Sequence, residues 1–503
     1  IYTVSKNGLV IARAYPEEMA ELLSQTDLDN FYPQEMFLED DRLMIFGSGS
    51  YEVYDIPKGD GTFYPGGVST MEVKIFDISN KEDPEILRDL HFEGSYITSR
   101  KIDSFAYFVI NNYPRYYGAL EEDEIVPRFA DSNLGNEFSA VVPCPQVRYF
   151  EPIQANNFLT IASIDLSDDN SEINKEVILG NGQNVYASLN NLYVAETTYD
   201  YGPRPMNSKI GILPYEPGKE ETRIYKFSLN DGDVNYEGNG IAPGRILNQF
   251  SMDEYDNYFR IATTIGQVSR NGEDISSNNI YVLDDDLQLV GELEDLAPGE
   301  QIYSARFIGD RAYMVTFKKV DPLFVIDLSN PKNHKVLGKL KIPGFSDYLH
   351  PYDEDHIIGV GKDAVEAEEG NFAWYQWLKL AIFDVSDVEN PKQMHVELIG
   401  DRGTDSEALQ NHKAFLFDKE RNLLVLPVLL AEINQDYSGD IPANAYGDFV
   451  FQGAYVYDIS LEDGFELKGR ISHYDDNDAF DKAGYYFYDR NYYITRSLYI
   501  NDV

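Results

Sequence analysis

The densest run of reactive side chains in this chain is GDRGTDSEALQNHKAF, Gly400–Phe415, which places Asp401, Arg402, Glu407 and His412 close together in sequence. An imidazole beside carboxylates is the equipment of general acid–base catalysis or of a divalent-metal site. The competing reading is architectural. The run immediately precedes an apolar segment, and loops between buried strands use Asp, Arg and Glu to satisfy backbone groups. A second stretch, GFSDYLHP at Gly344–Pro351, holds Ser346, Asp347 and His350, the residue types of a hydrolytic triad. They lie too close in sequence to be arranged freely, and the chain has no G-x-S-x-G elbow to present the serine.

Calcium is the other chemistry the residues suggest. It takes six to eight hard oxygens from carboxylates, amides and carbonyls. Three acidic loops could supply them: Asp168, Asp169 and Asn170 with Glu172; Asp231 and Asp233 in NDGD, Asn230–Asp233; and Asp475, Asp476 and Asp478 with Asp481. None follows the EF-hand spacing, so a solvated turn is the competing reading for each. No phosphate loop or Gly-rich dinucleotide turn occurs, and no organic cofactor is expected.

Composition narrows the partners. The 503 residues include 41 Lys and Arg against 86 Asp and Glu, a net charge of −45. Such a surface repels nucleic acid and anionic lipid. No run approaches 18 apolar residues, so no membrane span is expected. One cysteine, Cys144, excludes an internal disulfide framework and a CxxC site. The chain opens on Ile1 without a signal-peptide pattern and is expected to be a processed or trimmed mature chain.

The elements that must position these residues repeat. The phrase apolar-apolar-Asp-apolar-Ser, or a close variant, recurs as IFDIS (Ile75–Ser79), SIDLS (Ser163–Ser167), VIDLS (Val325–Ser329), IFDVS (Ile382–Ser386) and VYDIS (Val456–Ser460). Weaker copies are YKFSLN, Tyr225–Asn230, and YVLDD, Tyr281–Asp285. A polar-turn hairpin precedes each copy and another strand follows it. The repeated Asp is expected to fix the strand-to-turn corner by accepting backbone N–H groups. Four strands per unit, repeated at about 64 residues, describe the blades of a β-propeller with long insertions.

Seven copies leave an orphan at each end. Joining SLYINDV, Ser497–Val503, to IYTVSKNGLVIARAY, Ile1–Tyr15, completes an eighth unit. The expected fold is therefore all-β: a single β-propeller over residues 1–503, of eight four-stranded blades, closed by pairing of N- and C-terminal strands in one blade. The expected insertions run over about 113–157, 200–222, 362–377, 429–452 and 474–491. Arg100, Arg306 and Arg496 would fall on inner strands, as inter-blade salt bridges or anion ligands. The last strand could equally complete a neighbouring molecule and build a polymer.

Beyond these repeats, YSARFIGDRAYMVTFKKVDPLFVIDLSNP, IPGFSDYLHPYDEDHIIGVGKD, LAIFDVSDVENP, GDRGTDSEALQNHKAFLFDKERNLL, FQGAYVYDI and RSLYINDV resemble a family of secreted or surface-anchored prokaryotic β-propeller-domain proteins, distantly related to WD-repeat proteins. The resemblance implies export and the propeller fold, and little about activity. The expected function is an extracellular or cell-surface, non-catalytic structural or adhesive module. It would self-assemble into a cation-stabilised polymer or surface layer, with calcium as the expected cation and itself, other surface proteins or glycans as partners. The alternative is a hydrolase or lyase at a channel mouth, using Asp401, Glu407 and His412.

Overall fold

Runs rich in Val, Ile, Tyr and Phe, cut by Asp-, Asn- and Gly-containing turns, dictate short twisted strands. A computed structural model describes all residues except 58–62, 115–124, 151, 152, 154, 201–218, 269–274, 319, 320, 368–372, 434–440, 485 and 501–503. Its described residues form eight successive antiparallel sheets. Within each sheet the strands keep chain order, as the hairpin-plus-two pattern requires. Among the described residues, helix is limited to short turns such as Asp478–Asp481. No helix among the described residues is long and apolar enough to cross a membrane.

The first sheet has three strands, Tyr2–Ser5, Gly8–Arg13 and Glu21–Thr26. Its expected fourth, SLYINDV, falls partly on 501–503, outside the described residues, and Ser497–Ile500 are not in a strand. Just before it, the buried Gln452 side chain donates to the Ile494 carbonyl (2.8 Å) and accepts the Ile494 N–H (2.9 Å). The Tyr499 hydroxyl donates to Asp418.

The repeated aspartates do end strands. Asp77, Asp165, Asp327 and Asp384 each accept the N–H of the serine two residues on, at 2.8–3.0 Å. Asp458 differs, lying inside the strand Asp448–Ser460 and 3.7 Å from Lys468. A regular defect accompanies this corner. Register with the outer strand shifts between Ile75 and Phe76, Val282 and Leu283, Val325 and Ile326, Ile382 and Phe383, and Val456 and Tyr457. The outer strand thereby carries one unpaired residue, Leu87 in the second sheet and Leu337 in the sixth. Such β-bulges add twist and re-aim side chains.

Contacts divide the chain into two compact units, Ile1–Glu196 with Arg223–Gly240, and Thr197–Thr222 with Ile241–Val503. Each has its own apolar clusters. Phe46, Phe92 and Phe108 pack in the first, and Tyr313, Val325 and Phe383 in the second. The expected insertions take three forms. Strands Arg128–Asp131 and Ser139–Ala140, within 113–157, extend the second sheet at its outer edge. Those near 362–377 and 429–452 lengthen hairpins, which pair out to Glu366↔Ala373 and Glu432↔Asp448. The one at 474–491 folds around Phe480 and Phe487, stacked at 5.2 Å between centroids. Most of 200–222 lies outside the described residues.

Candidate functional site

In the second sheet, strand Phe63–Asp77 pairs with strand Glu85–Glu93. The shift at Leu87 puts Glu72 opposite His91 and Lys74 opposite Asp89. Residues two apart share a face, so the four side chains form a square on one side of the sheet. The other face carries Val73, Ile75, Leu90 and Phe92 into the core. The His91 imidazole bridges the carboxylates, with Nδ1 3.4 Å from Glu72 Oε1 and Nε2 3.4 Å from Asp89 Oδ1. Lys74 Nζ donates to Asp89 Oδ2 at 2.8 Å and lies 3.7 Å from Glu72 Oε2. Thr70 donates to Glu72 Oε1 at 3.1 Å. Gly49 leaves the room this needs, since a Cβ there would meet Glu72 Oε1 at 1.8 Å.

The square is half-buried to buried and its charges compensate. Hydrogen bonds to Asp89 and then Glu72 raise the His91 imidazole to about 9, against the opposing pull of burial. Burial works to raise the Asp89 carboxyl, but hydrogen bonds from His91 and Lys74 outweigh it and hold it below its ordinary value. Two carboxylates thus face an ammonium and an imidazolium. Among the described residues, Glu72, Asp89 and His91 are the one group of three acidic, imidazole or thiol side chains whose ligand atoms all lie within 4.8 Å of one another.

The sequence does not single out these residues, although it carries them as MEVK and RDLH. Counting back from the Asp77 corner without the bulge would set Glu72 against Leu90, a core residue. The bulge is what turns His91 toward Glu72.

The residues that sequence does single out are placed as follows. Asp401 accepts the Ile433 N–H at 2.8 Å, closing its loop. Glu407 opens a 3-10 turn whose preceding Ser406 caps it through the Ala408 N–H. His412 lies edge-on to Phe250 at 5.0 Å and 3.4 Å from Gln249 Nε2. The three do not converge as a ligand group. Arg402 lies over Trp374 and Tyr446, at 4.8 and 4.4 Å from the ring centroids, and donates to the Tyr375 carbonyl.

The acidic loops are tied in by protein groups. Arg42 holds Asp169 with two hydrogen bonds, 2.7 and 2.8 Å. Asp168 accepts the Asn170 N–H, and Arg88 reaches the Ser171 carbonyl. The same Arg88 makes a paired contact with buried Asp131, at 3.1 and 2.6 Å. Asp231 sits in a left-handed turn at φ 46°, and Asp233 accepts from Asn174. Asp476 caps the Asp478 N–H, and Asp478 pairs with Lys482. Asp475 and Asp481 belong to the same exposed turn, and the four do not converge.

In GFSDYLHP, His350 Nδ1 meets the Tyr348 hydroxyl at 2.9 Å, and no triad forms. Burial, with Arg306 and His412 adding to it, lowers His350 to about 4. Asp347 is the unpaired residue of an inner-strand bulge between Ser346 and Tyr348. Burial raises its carboxyl to about 7, opposed by Lys362 and aided by Asp405. Of the inner-strand arginines, Arg100 donates to Thr98 and the Ser99 carbonyl, and Arg306 stacks 4.8 Å over Phe250.

A family model described as a beta propeller domain matches residues 1–503. An uncharacterized protein of Archaeoglobus fulgidus is 45% identical over 208 residues, which cover 41% of this chain and 30% of that protein. Another, of Methanocaldococcus jannaschii, is 31% identical over 432 residues, covering 72% of this chain and 64% of that protein. The chain therefore spans less than two thirds of either relative's length. Among solved structures, an acylaminoacyl peptidase in complex with Z-Gly-Gly-Phe-chloromethyl ketone aligns at TM-score 0.36 and 9% identity, over 87% of this chain and 52% of that one. The Pyrococcus horikoshii acylaminoacyl peptidase aligns at TM-score 0.29 and 11% identity, over 80% and 58%.

Proposed function

Because this chain belongs to the beta propeller domain family, we propose that it serves as an extracellular, non-catalytic structural or adhesive module that associates with further copies of itself. The observation that carries this reading is the insertion at 474–491. A buried base of Phe480 and Phe487, with Tyr474 against both rings, supports Tyr486, Tyr488 and Tyr492 at 67%, 81% and 58% exposure. Ordered, exposed tyrosines are costly to leave in water and are favoured at protein contacts. The internal bonds of Asp401, Asp169 and Asp478 fit side chains that hold loops in shape.

A net charge of −45 opposes any self-contact, so association requires cations or salt to mute the repulsion. Calcium is the cation this reading names, acting between molecules through surface carboxylates.

Light scattering and electron microscopy, with calcium and then with excess chelator, test the proposal. Polymers or rings that dissolve in chelator, and that weaken in a Tyr486→Ser, Tyr488→Ser double variant, are the expected result. A monodisperse monomer under both conditions would sink it.

A further inference from the structure

The square of Glu72, Lys74, Asp89 and His91 goes beyond the proposed scaffold role. Two of its corners are oxygen donors, one is a nitrogen donor, and the fourth is a cation already in place. Glu72 is nine-tenths buried and fixed by Thr70, while Gly49 keeps the space in front of it clear. Asp89 Oδ1 is closed off from water and is met only by the long contact to His91 Nε2, 3.4 Å, short of a well-formed hydrogen bond. A carboxylate oxygen that is desolvated and under-used is ready to take a cation. The covering strand Arg128–Asp131 pairs with this outer strand, placing Ala130 opposite His91 and fixing the site on both sides.

We propose that Glu72, Asp89 and His91 form a binding site for a divalent transition metal, and that the Lys74 ammonium occupies it in the metal's place. The donor set sets the metal class. One imidazole and two carboxylates suit zinc and its first-row neighbours, whereas calcium wants six or more oxygens. Exchange balances in charge. A divalent ion entering the site neutralises the two carboxylates, the imidazole gives up its proton to solvent, and the Lys74 side chain swings out to water with its own charge. Three protein ligands leave a coordination position for water, so the bound ion would be open to a further ligand.

The test uses the intact chain and zinc alone, titrated calorimetrically in millimolar magnesium so that the acidic surface is already screened. One zinc per chain is expected, with proton release. Lys74→Met should tighten binding at least about tenfold, and His91→Gln or Asp89→Asn should weaken it at least about tenfold, as loss of a ligand does. Cobalt supplies an independent readout, through visible absorption bands that His91→Gln abolishes. Zinc binding seen in Lys74→Met but not in the natural chain also supports the site, because it isolates the competing ammonium. Absence of binding in both, equal binding in His91→Gln and Asp89→Asn, or zinc affinity indifferent to Lys74→Met would overturn the proposal.

Discussion

Asp347 offers a test of how the inner strands are built. The bulge between Ser346 and Tyr348 turns its carboxyl into a half-buried place where it accepts no hydrogen bond among the described residues. Burial lifts it from 3.8 to about 7. At about 1.4 kcal/mol per tenfold change in proton affinity, this amounts to about 4 kcal/mol for ionising Asp347 in the folded chain. Partial solvent access screens part of that, leaving about 2 kcal/mol as the working expectation. An acid raised on folding binds more protons folded than unfolded between the two values. Its contribution is therefore present below the ordinary value and is lost as pH rises through about 7. Asp347→Asn removes the titration at nearly constant shape. Its stability relative to the natural chain should be flat near pH 4, climb between pH 4 and 7, and level off above. The assay is urea unfolding followed by the fluorescence of Trp374 and Trp377, both on the strand Ala373–Asp384 of the same sheet. A difference between the two proteins that does not grow between pH 4 and 8 would refute the argument from burial.

Three further outcomes follow from the same contacts. Asp131→Ala strands the Arg88 guanidinium, itself 4% exposed, and should cost about 3–5 kcal/mol in unfolding experiments. Asp169→Ala breaks an equally well-formed pair with Arg42, but in a solvated setting, so the same measurement should find about 1 kcal/mol or less. Gln452→Ala removes both bonds to the Ile494 backbone, each worth about 1 kcal/mol. Trypsin should then cut sooner at Arg490 and Arg496 than in the natural chain, with the rest of the digest unchanged.

The strands and their order were legible because the third strand of four of the eight sheets ends on an Asp that caps a Ser, and that pairing is local. The square at Glu72 was not legible. It depends on which residue of one strand faces which residue of another, and a single bulged residue, Leu87, decides that. The cluster at Gly400–Phe415 looked chemical for a related reason. Types and spacing display Asp401, Glu407 and His412 together, but a loop with two 3-10 turns sends them to separate partners, a backbone N–H, a turn and an aromatic ring. Likewise, Asp168 and Asp169 read as a calcium loop until Arg42, far away in sequence, brings its guanidinium to the same carboxylate.

The recurring outer-strand defect also bears on how the blades can be compared with one another. The second, fifth, sixth, seventh and eighth sheets are each read in one frame near the corner and in a second frame beyond the bulge. Because the extra residue falls at the same place in all five, their outer strands superpose letter by letter from the corner; it is pairing each to the preceding strand without the extra residue that slips by one and exchanges water-facing positions for core ones. In that superposition His91 corresponds to Leu398 of the seventh sheet, opposite Lys379, and His395, opposite Ile382, corresponds to Arg88. The polar square is thus a property of one blade, written into a frame that it shares with four others.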